Sequence, residues 1–217
     1  MTSKITNEWI KTCIGKCKDK SKERKFRQTI ELQVGLKDYD PSKDKRFTGS
    51  VRLPNIPRPN MKICFIADQK HADEVAAKGV NVEIMTLDNL KKFNKDKKII
   101  KKWAKKYAVL IATDSIVKQL PKIVGPHLNK IGKFPQPVTH NEPIDKKVDD
   151  IKASIKWQLK KVTNLNVAIA NEDMNEEEIR QNVAMGLNFL ASLLKKQWQN
   201  IKTVHIKTTM GKSVKLL

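Results

Sequence analysis

Four histidines, three cysteines and a few paired acids are the residues of this chain whose types could do chemistry by themselves. Cys13 and Cys17 are four apart, which puts both thiols on one helix face and supplies half of a tetrahedral metal site. The other half is missing, since the nearest histidine, His71, has no helical or CxxC partner. The spacing therefore favours two small residues on a packed helix face, and no metal is expected. An odd number of cysteines without framework spacing also argues against a disulfide scaffold. His71, His127, His140 and His205 are scattered, and no GxSxG elbow accompanies them. Asp149, Asp150 and Glu176 to Glu178 fall at expected helix starts, where attraction to the helix dipole accounts for them. A dinucleotide site needs glycines directly after the first strand of an α/β unit. Here the apolar run at 62–67 is followed by Asp68, Gln69, Lys70 and His71, and GxxxxGK[ST] is absent. No catalytic residue and no cofactor are expected.

What the sequence holds in excess is positive charge. Forty-four basic residues against 23 acidic ones leave +21, which calls for a polyanionic partner. The excess is spread along the chain: 15 basic and 7 acidic residues in 1–60, 18 and 11 in 61–150, and 11 and 5 in 151–217. That suits a protein embedded against nucleic acid better than a domain with a basic tag. Lysines outnumber arginines 38 to 6, giving point charges suited to phosphate more than bidentate base contacts. No apolar run approaches the roughly 18 residues of a membrane span. The opening Met1-Thr2-Ser3-Lys4 leads into no apolar signal region, so a soluble intracellular protein is the expectation. The basic stretch 16–28 reads as a solvated helix end and loop. The stretch Lys91–Lys106, with Phe93, Ile99, Ile100 and Trp103 as a narrow apolar stripe, reads as a solvated, a membrane-surface or a phosphate-facing helix.

The elements that would position these residues change style along the chain. Residues 5–18 carry Ile5, Trp9, Thr12, Cys13 and Lys16 at helical spacing, with Ile10, Ile14 and Cys17 beside them. Residues 27–36 alternate Ile30, Leu32, Val34 and Leu36 against polar neighbours, and 46–53 alternate Phe47, Gly49, Val51 and Leu53; they suggest an antiparallel pair joined by a long loop, and they could also pair with the strands after residue 153. Three prolines, Pro54, Pro57 and Pro59, then mark a stiff linker. Beyond it an α/β pattern begins: strands at 62–67, 80–85 and 107–112, and helices from Asp68 to Gly79, from Thr86, and from Thr113 or Asp114 to Leu120. A glycine- and proline-punctuated region follows, then a helix at 145–153. The first style returns with strands at 154–160, 165–170 and 201–209 around a long helix at 174–198. That helix opens on Glu176 to Glu178, closes on Lys195 and Lys196, and buries Ile179, Val183, Met185, Leu187, Leu190 and Leu194. The expected fold class is α/β and α+β in two domains. An α+β domain is built from both chain ends, 1–60 and 153–217, with a Rossmann-like three-layer α/β domain, 61–152, inserted.

Three blocks carry a resemblance. KFRQTIELQVGLKDYDPSKDKRFTGSVRLP, 25–54, resembles the strand-loop-strand signature of the large-subunit ribosomal L-one family in its eukaryotic form. FLASLLKKQWQNIKTVHIKTTMGKSVKL, 189–216, is similar to that family's C-terminal segment with its TMG turn, and GPHLNKIGKFP, 125–135, to its glycine-proline segment. The resemblance implies a non-enzymatic constituent of the cytosolic ribosome. Such a protein binds large-subunit ribosomal RNA through the domain of the chain ends, forms the mobile stalk by the tRNA exit site, and assists movement and release of deacylated tRNA. It also implies a monomer among ribosomal components, with no membrane partner. The RNA-contact positions it implies are Lys25, Phe26, Thr29 and Glu31 on the first strand, and Thr208, Thr209, Met210 and Gly211 in the turn. Hydroxyls and a close backbone suit ribose hydroxyls, while Phe26 and Met210 suit sugar or base surface. A translational repressor binding its own messenger would use the same surface, and a nucleotide-using α/β enzyme is the remaining alternative.

Overall fold

The computed structural model describes residues 5–19, 24–41, 43, 44, 46–80, 82–139, 142–159 and 162–217; the first four residues, positions 20–23 of the basic stretch and His140 lie outside them. The first helix, α1 (Asn7–Asp19), buries Ile10, Cys13, Ile14 and Cys17, the three- and four-residue spacing of an amphipathic face. Trp9 stands off that face, and its indole N–H donates to the carbonyl oxygen of Leu216 at 3.0 Å. Strand β1 (Thr29–Leu36) buries every second residue, and β2 (Thr48–Arg52) precedes the proline segment. These two strands are not partners, contrary to the sequence expectation: β1 lies between two strands from the far end of the chain, and β2 pairs with another. Alternation fixes which face a strand buries, but a long loop imposes no hairpin register and leaves the neighbour open.

The inserted segment contains β3 (Ile63–Ile66), α2 (Gln69–Lys78), β4 (Glu83–Met85), α3 (Leu87–Lys91), α4 (Lys97–Lys106), β5 (Val109–Thr113), α5 (Asp114–Val117), α6 (Leu120–Val124), α7 (His127–Ile131), β6 (Gln136–Val138) and α8 (Ile144–Ala153). Asp68 stands at the N-cap of α2, and Gly79 ends it at φ 60°, a left-handed conformation that favours glycine. Four parallel strands run in the order β4-β3-β5-β6. The sequence reading found three of them. The fourth, β6, holds Pro137 within a punctuated region, which an edge strand tolerates and a central one would not. Ile63 and Phe65 join one apolar cluster with Val75 and Val148, while Cys64 and Ile66 join another with Ile100, Trp103 and Leu120. Both faces of the sheet are thus covered, which is why β3 reads as an unbroken apolar run.

The chain then returns with β7 (Ser154–Gln158), β8 (Asn164–Asn171), α9 (Glu176–Leu193), β9 (Ile201–Thr208) and β10 (Val214–Lys215). An antiparallel sheet has the order β10-β9-β1-β8, and β2 with β7 forms a two-stranded sheet. Asn175 and Glu178 close a capping box at the start of α9. This helix buries Ile179, Asn182, Val183, Gly186, Leu187 and Leu190. Met185, expected on that face, is 41% exposed, and the helix ends at Leu193, before Lys195 and Lys196. Lys195 pairs instead with Asp44 at 2.8 Å. A Cβ on Gly186 would meet Ile169 Cδ1 at 2.8 Å, so a larger residue there would require the end of that side chain to shift.

By its internal contacts the chain forms two compact units, residues up to Pro59 with Lys152–Leu217, and Asn60–Ile151. In the first unit α1 and α9 cover one face of the four-stranded sheet. An ion-pair chain joins them: Glu177 binds Arg180 Nε at 2.8 Å and Lys11 Nζ at 2.8 Å. Arg180 first, then Lys11, holds the Glu177 carboxyl down at about 2. A depressed carboxyl stabilises the fold above its unfolded value near 4.5 and loses that contribution as pH falls through about 2. Glu177→Gln should therefore flatten the acid-unfolding curve between pH 4.5 and 2 relative to wild type, read by circular dichroism. Because the pair is solvent-exposed, the difference is small and salt-sensitive.

Candidate nucleic-acid interface

The turn after β9 is fastened to the start of β1 by side chains. The backbone N–H of Thr29 donates to Thr209 Oγ1 at 3.0 Å, and that hydroxyl donates in turn to the Thr29 carbonyl at 3.2 Å. One residue on, Met210 N–H donates to Gln28 Oε1 at 3.3 Å. Gln28 is buried, and its carbonyl accepts from Glu172 N–H at 3.0 Å just past β8. The Gly211 N–H closes the turn onto the Thr208 carbonyl at 3.2 Å. Three chain segments distant in sequence are thereby tied into one rim, which Arg27 extends by pairing with Asp173.

On this rim two large apolar side chains stand in water, Phe26 at 51% and Met210 at 60% exposure. Single exposed apolar residues are ordinary. Phe26 lies two residues before Gln28, and Met210 is tied to the Gln28 side chain through its backbone N–H. Lys25 and Lys212 are exposed beside them in sequence, and Lys207 lies opposite Glu31 in the β1–β9 register.

The eight expected contact residues therefore divide. Lys25, Phe26 and Met210 are exposed; Thr29, Glu31, Thr209 and Gly211 are half-buried at the same rim. Thr208 is fully buried, paired with Ile30 across the sheet, so its hydroxyl does not face outward as expected. The hydroxyl of Thr209 is occupied by Thr29, and its role here is to hold the turn. Gly211 is not in the left-handed region that Gly79, Gly125 and Gly132 occupy, so backbone strain is not the reason for a glycine there. Thr209→Val should lose both bonds to Thr29 and about 1–2 kcal/mol of stability, measured by urea unfolding.

Sequence reasoning missed Gln28, a lone glutamine after a charge run with no pattern to mark it. It also missed the sheet face opposite α1 and α9. That face presents Gln33, Asn166, Thr203 and His205 around a shallow hollow of about 340 Å³ floored by Gly35. The alternation that named the buried residues of β1 names Gln33 as outward. Which residues of β8 and β9 stand beside it depends on strand order, which the sequence left open.

The other reactive side chains are structural. Cys13 and Cys17 are buried, Cys13 Sγ lies 3.7 Å from the Lys215 carbonyl, and burial pushes its thiol up. Burial, then Glu83, pushes Cys64 up to about 12. His71 is buried with Nδ1 2.9 Å from Thr113 Oγ1, so that hydroxyl serves the histidine and makes no cap bond to α5. Among the described residues no group of three or more His, Cys, Asp or Glu side chains could hold a metal ion, and no helix is long and apolar enough to cross a membrane.

The family model described as the Ribosomal protein L1p/L10e family matches residues 18–212. The chain belongs to this family. It is 53% identical over 212 residues to the large ribosomal subunit protein uL1 of Caenorhabditis elegans, covering 97% of both chains. It is 51% identical over 216 residues to that of Oryza sativa subsp. japonica, covering 99% of both. With uL1z of Arabidopsis thaliana it shares 52% over 211 residues, 97% of this chain and 96% of the relative. The Ribosomal protein L1p/L10e family is one of ribosomal proteins and not of enzymes, and the mixed α/β architecture described above is consistent with its two-domain fold.

Proposed function

We propose that the chain is a structural constituent of the large subunit of the cytosolic ribosome. Its first unit binds large-subunit ribosomal RNA at the rim of β1 and the 209–211 turn. The observation that carries this is the exposure of two large apolar side chains, Phe26 two residues before Gln28 and Met210 on the turn held by Thr209 and Gln28, in a chain of +21 charge. The Phe26 ring can stack on base or sugar surfaces and the flexible Met210 thioether can adapt its packing to them, while the fixed turn brings backbone at Gly211 close to the RNA. Lysines supply the salt-dependent phosphate attraction. The names of the relatives, all proteins of the large ribosomal subunit, support the same reading.

On this reading the complex is the mobile stalk beside the tRNA exit site, where it assists movement and release of deacylated tRNA. The chain acts as a monomer among the other ribosomal components. Two chain crossings, near Pro59 and near Lys152, join the units, and a body inserted through two crossings can swing about one axis. Affinity for a folded stalk fragment of large-subunit RNA should fall steeply with salt while staying well above affinity for random RNA. Equal affinity for the two RNAs at moderate salt would contradict the specific part of the proposal.

A further inference from the structure

Nine lysines lie between Lys91 and Lys106. Six of them ride on α4, and all six are exposed. At 3.6 residues per turn, Lys97, Lys101 and Lys105 form one ridge and Lys98, Lys102 and Lys106 a second beside it. Successive lysines of a ridge are about 6 Å apart along the helix axis, comparable to the step between neighbouring phosphates of a strand. The opposite arc, Ile100, Trp103 and Ala104, is buried. The aromatic residues of the stretch are used in packing: Trp103 lies against Phe93 at 5.7 Å and against Tyr107 at 5.8 Å between ring centroids.

The helix dipole favours only Lys105 and Lys106, in the last turn, and among the described residues no ion pair engages any of the six. No acid lies on α4. Asp96 is spent as the N-cap, accepting from Lys98 N–H at 2.7 Å, and Asp88 pairs with Lys91 at 2.9 Å. Lys97 and Lys98 stand in the first turn, where the helix dipole repels them. The C-terminal carbonyls are served by another residue: Lys133 Nζ donates to the Ala104 oxygen at 3.0 Å and to that of Tyr107. Like charges three and four apart along each ridge and across it also repel one another. The free protein thus carries a strained cationic surface that a polyanion would relieve.

We propose that α4 is a second RNA-contact surface, on the inserted unit, whose two lysine ridges follow the phosphates of a duplex RNA without reading its bases. The inference rests on the RNA-binding function proposed above. A bilayer is the less suitable polyanion, because the apolar arc of α4 is buried in the unit's own core and no aromatic side chain projects from it; only Ile99 does. Lysine without arginine suits phosphate contact rather than base readout.

The test uses the full chain and three variants, the first of them charge-matched to the control. One carries Lys98→Gln, Lys102→Gln and Lys106→Gln. A second adds Lys97→Gln, Lys101→Gln and Lys105→Gln. The control carries Lys62→Gln, Lys70→Gln and Lys122→Gln, three exposed lysines elsewhere in the same unit. Binding to a random-sequence duplex RNA, to stalk RNA and to phosphatidylserine vesicles is titrated over salt. For the duplex, the first variant should lower the slope of log affinity against log salt by about 2–3 units, and the control by less than about one. The second variant should lower it further. Both α4 variants should melt at or above the wild-type temperature, because repulsion is removed. Equal slopes for the first variant and the control would overturn the proposal, as would vesicle binding at salt concentrations where the duplex is released. Wild-type protein that does not prefer stalk RNA would defeat the earlier function alone, since the α4 effect is read on the random duplex.

Discussion

Phe26→Ala and Met210→Ala should each weaken binding to stalk RNA by about 1–3 kcal/mol, the scale of one specific nucleic-acid contact. Affinity for an unrelated duplex should barely change. The separation follows from the chemistry. Both side chains are uncharged and exposed in the free protein, so truncation removes contact area and leaves the lysines in place. Folding should be nearly unaffected, because surface truncations away from caps and cores fall within about 0.5 kcal/mol. The double variant tests coupling, since neighbouring contacts on one rim need not add. A paired titration on both RNAs, with circular dichroism as the folding control, reads the result. If both affinities fall together, the rim is scaffold; if neither falls, the RNA lies elsewhere.

Asn182→Leu should destabilise the first unit by about 2–4 kcal/mol, the cost of leaving several buried polar groups unpaired. Asn182 is completely buried in α9. Its Oδ1 accepts from Asn55 N–H at 3.2 Å, and its Nδ2 donates to the carbonyls of Asn55 and Ile169, both at 3.0 Å. One side chain thus fastens the proline segment to α9 and to β8. Leucine has the same number of side-chain heavy atoms, is bulkier, and satisfies none of the three groups. Urea unfolding measures the loss; a change below about 0.5 kcal/mol would mean that the segment rearranges freely and is not held by this residue.

Much of this architecture was legible because single residues report their own surroundings. The unbroken apolar run of β3 announced a strand covered on both faces, and alternation from Ile30 to Leu36 announced one covered on one face. The return of the first style after residue 153 is the pattern from which an inserted unit is expected. What the sequence withheld depends on pairs. The partners of β1 and β2 lie more than a hundred residues away; the returning style after residue 153 pointed to those strands, but no local pattern says which of them takes which place. The end of α9 at Leu193 and the exposure of Met185 depend on what the helix packs against, which periodicity alone does not specify. At the candidate site, Phe26 and Met210 were legible only through resemblance, since on composition TTMG is an ordinary turn. Gln28, which holds that turn, left no trace in the sequence, and Thr208 was assigned to the surface although its strand position points it inward.

The most direct test of the RNA interface places a photo-crosslinking residue at position 210 in the full-length chain expressed in cells. The control carries it at position 84, where Ile84 is also exposed but lies on the inserted unit, away from α4 in sequence. Ribosomes are purified and irradiated, and the crosslinked nucleotides are mapped. The rim account predicts crosslinks from position 210 to one compact region of large-subunit ribosomal RNA, lost when Thr209→Val or Phe26→Ala is added, and no such region from position 84. Crosslinks from position 210 only to protein, or scattered equally from both positions, would contradict it.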